Sequence, residues 1–349
     1  QFLAGSSRHN TSFAPMHGAS RRRRRRGRLH RLLRKLHAQR NSNKTSALVG
    51  LWDGCIADER VPELGGAALL YWTRHGGDRT VAKSSWLPRG ATPRSPLEAL
   101  AYGVLRAHTP DETPQDAVAG AEYWVQIRGG NGEACGINIK QSSNEKGLGL
   151  HFDKDERAHA ERGEWHHPML ATATYLTDGG APLVVFDTAS EGSGRVRRGW
   201  LVAPRMARHV AFLGNRLHGV PAELAPENLL ASRIKCAKDD PGTTRISVLV
   251  NLWDRKPVGV SRAAPYRGST LPIDVSFAQP VAPPIVVRPK DHHIRRLGDR
   301  NTHLIPGTEN YAYLAEHRDG DTLPIPITRW IHVLAGGIPG HALELRSSD

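Results

Sequence analysis

The first 52 positions of the chain hold no acidic residue, the whole chain holds three cysteines, and no apolar run approaches the length of a membrane span. Each scarcity excludes something. Cys55, Cys135 and Cys236 are odd in number, far apart and form no Cys-x-x-Cys pair, so neither a disulfide framework nor a zinc knuckle is indicated. A reducing, intracellular compartment is the simpler expectation. No transmembrane segment is expected, because a span needs roughly 18 or more consecutive apolar residues. Gly129, Gly130 and Gly132 open no helix, so they imply no phosphate loop. Glu191-Gly-Ser-Gly lacks the strand–turn–helix setting of a nucleophile elbow. What is present is globular: 349 residues, 39% hydrophobic and 23% charged, enough for one large core or two modest ones.

Of the 48 Lys and Arg, 13 lie in residues 1–52, leaving 35 for the remainder against all 34 Asp and Glu. A near-neutral body therefore carries a cationic leader, which is a statement about partners rather than fold. Arg21, Arg22, Arg23, Arg24, Arg25 and Arg26 are consecutive, and Arg28, Arg31, Arg34 and Lys35 follow. Leu29, Leu32, Leu33 and Leu36 fall at i, i+3, i+4 and i+7, so a short amphipathic helix is expected there. The pattern fits RNA binding, with nucleic acid the favoured partner of residues 1–44. It also fits an acidic protein or a lipid surface. An Arg-rich, acid-free start has the character of an organelle transit peptide too, which favours the mitochondrion over nucleus or cytoplasm.

Four segments follow from the pattern: a basic extension (1–50), helical support (51–120), a β core (121–258) and a Pro-rich C-terminal extension (259–349). Ser95-Pro96-Leu97-Glu98 reads as a capping box with Pro at the first helical position, ahead of a stripe of Leu97, Leu100, Ala101, Val104 and Leu105. Thr113 to Asp116 starts another short helix, and the rest of 50–95 reads as irregular. From about 121 the period becomes two. Expected strands are Glu122–Ile127, Cys135–Lys140, Leu148–Asp153, Leu170–Thr177, Pro182–Phe186, Gly199–Ala203, His209–Leu213 and Arg245–Trp253. Eight short strands separated by Gly-rich turns read as a jelly-roll, or double-stranded β-helix, within a mainly β (α+β) chain. The tail, with Pro280, Pro283, Pro284 and Pro289, is expected to wrap the barrel or reach a neighbour.

Within that core, His151-Phe152-Asp153 is followed 65 residues later by His218. Two imidazoles and one carboxylate suit a non-haem Fe(II) centre, which they bind on one face while leaving other positions open. Spacing of two on a strand turns His151 and Asp153 to the same side. His166-His167 beside Trp165 is less apt as metal chemistry, since neighbouring strand residues point oppositely. A loop at the barrel mouth, with Glu164, Trp165 and His166 at the substrate entrance, fits better. Tyr123 and Lys140 are further candidates for co-substrate contact.

Taken together, Gly149-Leu-His-Phe-Asp153, Tyr175 through Phe186 with its Gly-Gly turn, Pro204 through His218 and Arg245 through Trp253 resemble the Fe(II)/2-oxoglutarate-dependent dioxygenase superfamily over residues 121–258. The resemblance implies Fe(II) held by His151, Asp153 and His218, and 2-oxoglutarate anchored by Arg245 with help from Ser247. It implies molecular oxygen as the other small partner and a hydroxylase or demethylase activity. The residues support the anchor independently: Ile246, Val248, Val250 and Leu252 occupy one face of their strand, while Arg245, Ser247 and Asn251 share the other. An arginine facing a barrel interior needs an anion, and a carboxylate matches its fork. The 26 residues between His218 and Arg245 exceed the short hairpin of the family, and residues 222–244 look like an inserted loop. An alternative of another class is a non-catalytic subunit of a large ribonucleoprotein, such as a mitochondrial ribosome, anchored to RNA by the leader.

Overall fold

The computed structural model describes residues 49–75, 83–109, 113, 117–128, 132–134, 137–139, 147–190, 198–221, 244–265, 273–276, 285–287 and 312–316. The arginine leader with its expected helix, Lys140, residues 114–116 and the segment 222–243 lie outside the described residues. No helix among the described residues is long and apolar enough to cross a membrane.

The strands are β1 (Val49–Trp52), β2 (Ser85–Pro88), β3 (Gly120–Arg128), β4 (Gly132–Ala134), β5 (Ile137–Ile139), β6 (Leu148–His151) and β7 (Leu170–Tyr175). They continue with β8 (Leu183–Ala189), β9 (Arg198–Val202), β10 (His209–Leu213), β11 (Arg216–Val220), β12 (Arg245–Trp253), β13 (Ile285–Val287) and β14 (Ala312–Glu316). One six-stranded sheet runs β1-β10-β7-β12-β3-β2 and a second runs β13-β14-β9-β8-β11-β6, with β4 and β5 forming a separate hairpin. From β6 to β12 the chain alternates between the two sheets, apart from the β8–β9 hairpin, and every pairing in this core is antiparallel. This is the expected double-stranded β-helix. The tail contributes at the edge, where β14 pairs antiparallel with β9 and β13 pairs parallel with β14.

Alternation along β12 decides what each face meets. Ile246, Val248, Val250 and Leu252 join the cluster that holds Leu64, Ala68, Leu97, Leu100 and Val104 from α1 (Val61–Arg74) and α2 (Pro96–His108). Leu97, Leu100 and Val104 are completely buried there, each contributing roughly 1.5–3 kcal/mol. The opposite face of β12 turns between the sheets, where Ala173, Tyr175, Val185, Trp200, Val210 and Phe212 form the inner cluster. Helices therefore back the first sheet, and the inner face is left for the polar residues of β12 and β3.

Two expectations are corrected. Residues 50–95 are not irregular, because they form α1 and two strands that extend the first sheet at both edges. Gly65 and Gly66 disguise α1, yet its buried Leu64, Ala67, Ala68 and Tyr71 hold it to the sheet. A Cβ at exposed Gly66 meets nothing within 4 Å, so Gly66→Ala should raise the free energy of unfolding by about 1 kcal/mol, read by urea denaturation. The capping box is half made: Ser95 Oγ accepts from the Glu98 amide at 3.2 Å. The buried Glu98 carboxylate instead accepts from the Arg94 amide at 2.8 Å and is clasped by Arg262 at 2.6 and 2.9 Å. Within the strand expected at Cys135–Lys140, Ile137–Ile139 pairs with Gly132–Ala134, while Cys135, Gly136 and Lys140 lie outside the described residues.

Candidate metal centre

β6 ends at His151, two residues earlier than a strand through Asp153 requires, and β11 carries His218. The antiparallel β6–β11 pairing sets His218 directly across from His151. This pairing needs Gly219, whose missing side chain lets the Leu148 and Gly149 carbonyls approach to 3.0 Å of where a Cβ would stand. Asp153 lies in the loop beyond β6, so its aim comes from contacts and not from strand alternation.

One donor atom from each of His151, Asp153 and His218 lies within 4.8 Å of the others. Asp153 Oδ1 is 3.5 Å from His151 Nε2 and 3.6 Å from His218 Nε2. A first-row ion about 2.1 Å from each donor needs donors about 3 Å apart at right angles, so small rotations suffice to close the set. Both rings are turned for this purpose. His151 Nδ1 donates to the Gly149 carbonyl and His218 Nδ1 to the Arg216 carbonyl, each at 2.9 Å, which turns both Nε2 atoms toward the carboxylate. The Phe212 ring packs edge-on against His218, with centroids 4.8 Å apart. His151 is 37% exposed while His218 is 7% exposed, so the centre opens on the His151 side.

Asp153 is held charged. Burial alone would raise its pKa, but the imidazoles of His218 and His151 and the Asn251 amide outweigh it and pull the carboxyl down to about 2. Burial is also the largest influence on each ring. It lowers His218, whereas at His151 the hydrogen bond and charge of Asp153 prevail and raise it. Asn251 Nδ2 donates to Asp153 Oδ2 at 3.0 Å, turning Oδ1 toward the two rings. Asn251→Ala should weaken Co(II) binding about 10- to 100-fold in absorption titrations; unaltered affinity would show that Asp153 is aimed by other contacts.

Arg245 and Ser247 sit on the inner face of β12, each 2% exposed. Arg245 Nη1 donates to the Ala181 carbonyl at 3.1 Å and Nη2 to Gln126 Oε1 at 3.3 Å, while its buried Nε has no partner among the described residues. Among the described residues no carboxylate meets this guanidinium. Burial, with the nearby Arg128 charge, lowers its pKa to about 10 against the pull of Tyr175. Gln126 and Tyr175 lie across from Ser247 on the two flanking strands, which completes a polar inner site of Arg245, Gln126, Ser247 and Tyr175. Gly180, at φ +88, lies against Arg245: a Cβ there would stand 2.6 Å from the arginine Cβ.

The remaining candidates divide. Tyr123 is corrected away from any co-substrate: it faces α1 on the outer side of the sheet, its ring 5.9 Å from that of Tyr71. His166 is buried and pairs with Asp254 at 3.0 Å, so it is not an entrance residue. Glu164 is exposed and pairs with Arg162 and Arg255, and Trp165 is exposed beside Phe152 and His159. His167 Nδ1 donates to the Asp153 carbonyl at 2.6 Å and so braces the loop behind the triad.

Glu122, which the sequence does not single out, shares the inner face. It stands opposite Asn251 in the β3–β12 register, and Ser84 Oγ donates to its Oε1 at 2.5 Å. Burial, helped by the charges of Asp153 and Asp155, raises its pKa to about 7 against the hydrogen bond from Ser84. A folded-state pKa above the unfolded value means that the native chain binds the extra proton, so this stability is present below about pH 4.5 and lost as pH rises to about 7. Between pH 4 and 8 the metal-free Glu122→Gln variant should gain about 2–3 kcal/mol relative to wild type in denaturant titrations. A constant difference across that range would place the carboxyl near its ordinary pKa.

Solved structures of other proteins are similar to this chain in fold. A prolyl-4-hydroxylase from Pseudomonas putida is 13% identical, aligned over 71% of this chain and 97% of its own, at a TM-score of 0.36. EctD from S. alaskensis is 16% identical over 66% and 83%, at a TM-score of 0.36. HygX from Streptomyces hygroscopicus, solved with nickel and 2-oxoglutarate bound, is 10% identical over 61% and 84%, at 0.31. No family model and no curated protein matches the chain. At such identities the chemistry rests on this chain's own residues.

Proposed function

We propose that the protein is an Fe(II)- and 2-oxoglutarate-dependent dioxygenase of the hydroxylase or demethylase type. The observation that carries this reading is the pairing, on one barrel interior, of a His151–Asp153–His218 donor set with a buried Arg245 that meets no carboxylate among the described residues. The donor set fits the ferrous ion: two neutral imidazole nitrogens and one charged oxygen on one side, the pattern that non-haem iron oxygenases use. The inner site fits the co-substrate, since Arg245 presents an unused N–H to a dicarboxylate and Tyr175 and Ser247 stand beside it. Bound there, Fe(II) with 2-oxoglutarate and oxygen supplies oxidative decarboxylation to succinate and CO2, coupled to oxidation of a substrate C–H bond.

The chain's own contribution is placement. His151 and His218 are held through Nδ1 by backbone carbonyls, which presents Nε2 of each to an ion, and Asn251 fixes the Asp153 oxygen that faces them. Arg245 orients the far carboxylate and the apolar inner cluster excludes water around it. The charge segregation of residues 1–52 supports a macromolecular substrate tethered through the leader. The deciding experiment is anaerobic Fe(II) titration followed by 2-oxoglutarate turnover to succinate on admission of air. Stoichiometric iron with succinate formation is expected; iron binding with no turnover under any substrate condition sinks the oxygenase reading. Salt-sensitive RNA binding that disappears on deleting residues 1–44 is expected of the tether, and equal binding without them would refute it.

A further inference from the structure

We propose that Glu122 is a substrate-recognising carboxylate beside the metal centre, and that the substrate it selects carries an ammonium or guanidinium group. This rests on the oxygenase reading for the meaning of the centre, but the placement of Glu122 does not. Its cross-strand partner on β3–β12 is Asn251, the residue bonded to Asp153. Cβ atoms of such pairs stand roughly 5 Å apart, so Glu122 is one side chain removed from the metal-binding carboxylate.

Neither the triad nor the Arg245 site uses Glu122. Ser84 donates to its Oε1 and the Trp253 indole also hydrogen-bonds it, and among the described residues no ion pair is made to it. Burial is the main cause of its raised pKa, and the charges that act on it, Asp153 and Asp155, are both negative and add to the rise. A carboxylate left partly buried without a cation is costly to the fold, so a cationic ligand is its natural complement. The surroundings fit an organic cation rather than a metal. Trp86 is the neighbour of Glu122 on β2, and its indole covers Gly120, where an added Cβ would lie 2.7 Å from the ring. Trp253 pairs with Gly120 from the other side, and its indole favours the charged form of Glu122. A carboxylate flanked by indoles offers charge and ring faces together, which suits alkylammonium and guanidinium groups. Glu122 is only half-buried, so a ligand can reach it.

The test uses the full chain loaded with Co(II) and two neutralised pairs of probes: N-acetyl-arginine amide against N-acetyl-citrulline amide, and N-acetyl-lysine amide against N-acetyl-norleucine amide. Binding is read from tryptophan fluorescence. Wild type should prefer the cationic member of at least one pair by about tenfold. Glu122→Gln should erase the preference and Glu122→Asp should retain part of it, with circular dichroism and the Co(II) spectrum reporting that each barrel is folded. No preference in either pair, or a preference that persists in Glu122→Gln, overturns the proposal. Succinate formation without a cation preference defeats the cation site alone, whereas a cation preference in a chain that never turns over 2-oxoglutarate defeats the oxygenase reading and leaves the cation site standing.

Discussion

Asp153→Ala is expected to abolish stoichiometric metal binding, with Co(II) or Fe(II) affinity falling at least about 1000-fold, since losses behind the ligands alone cost about 10- to 100-fold. The reason is its position. Asp153 offers the single anionic donor of the set, at 3.5 and 3.6 Å from the two imidazoles, and its carboxyl is held charged down to about pH 2. Removing it leaves two neutral rings, a pair that many surface histidines match. His218→Ala should fall nearly as far, because that ring is the buried one and nothing else among the described residues reaches its place. Calorimetric or spectroscopic titration decides the matter: retained tight binding in Asp153→Ala would mean that the ion sits elsewhere.

Arg245→Met should produce a split result, raising the 2-oxoglutarate concentration for half-maximal turnover about 100-fold while leaving metal affinity near wild type. The guanidinium is buried, and among the described residues its Nε has no partner and no carboxylate is in reach to compensate the charge. An apolar side chain of similar volume relieves that burden, and the metal-free variant should unfold at equal or higher denaturant than wild type. A merely structural arginine gives the opposite pattern, a less stable chain with unaltered co-substrate dependence. The opposed movement of stability and co-substrate use is therefore the diagnostic.

Much of this molecule is legible along the chain, and the misses have causes. Alternation in Arg245–Trp253 correctly separates a helix-facing apolar row from an inward polar row, because a strand buried on both sides still tells oil from ligand space. β11 is hidden by Arg216, His218 and Gly219, residues poor in strand preference that are there to hold a ring and to admit the β6 backbone. α1 is hidden by Gly65 and Gly66, whose low helix preference is overridden by packing on the first sheet. Gln126 and Tyr175 as partners of the inner site follow only from register across three strands.

The sequence by itself determined the residue types and their order: a cationic leader on a neutral body, a His-x-Asp and distal His, and an arginine on the polar side of a strand. Tertiary structure alone decided that Asp153 leaves its strand and is aimed by Asn251, that Arg245 meets no carboxylate among the described residues, and that Glu122 stands beside the centre. Spacing along one strand is a local property written in the chain. Which side chain meets which across a barrel depends on pairing between distant segments, and that is set only when both sheets close over their shared core.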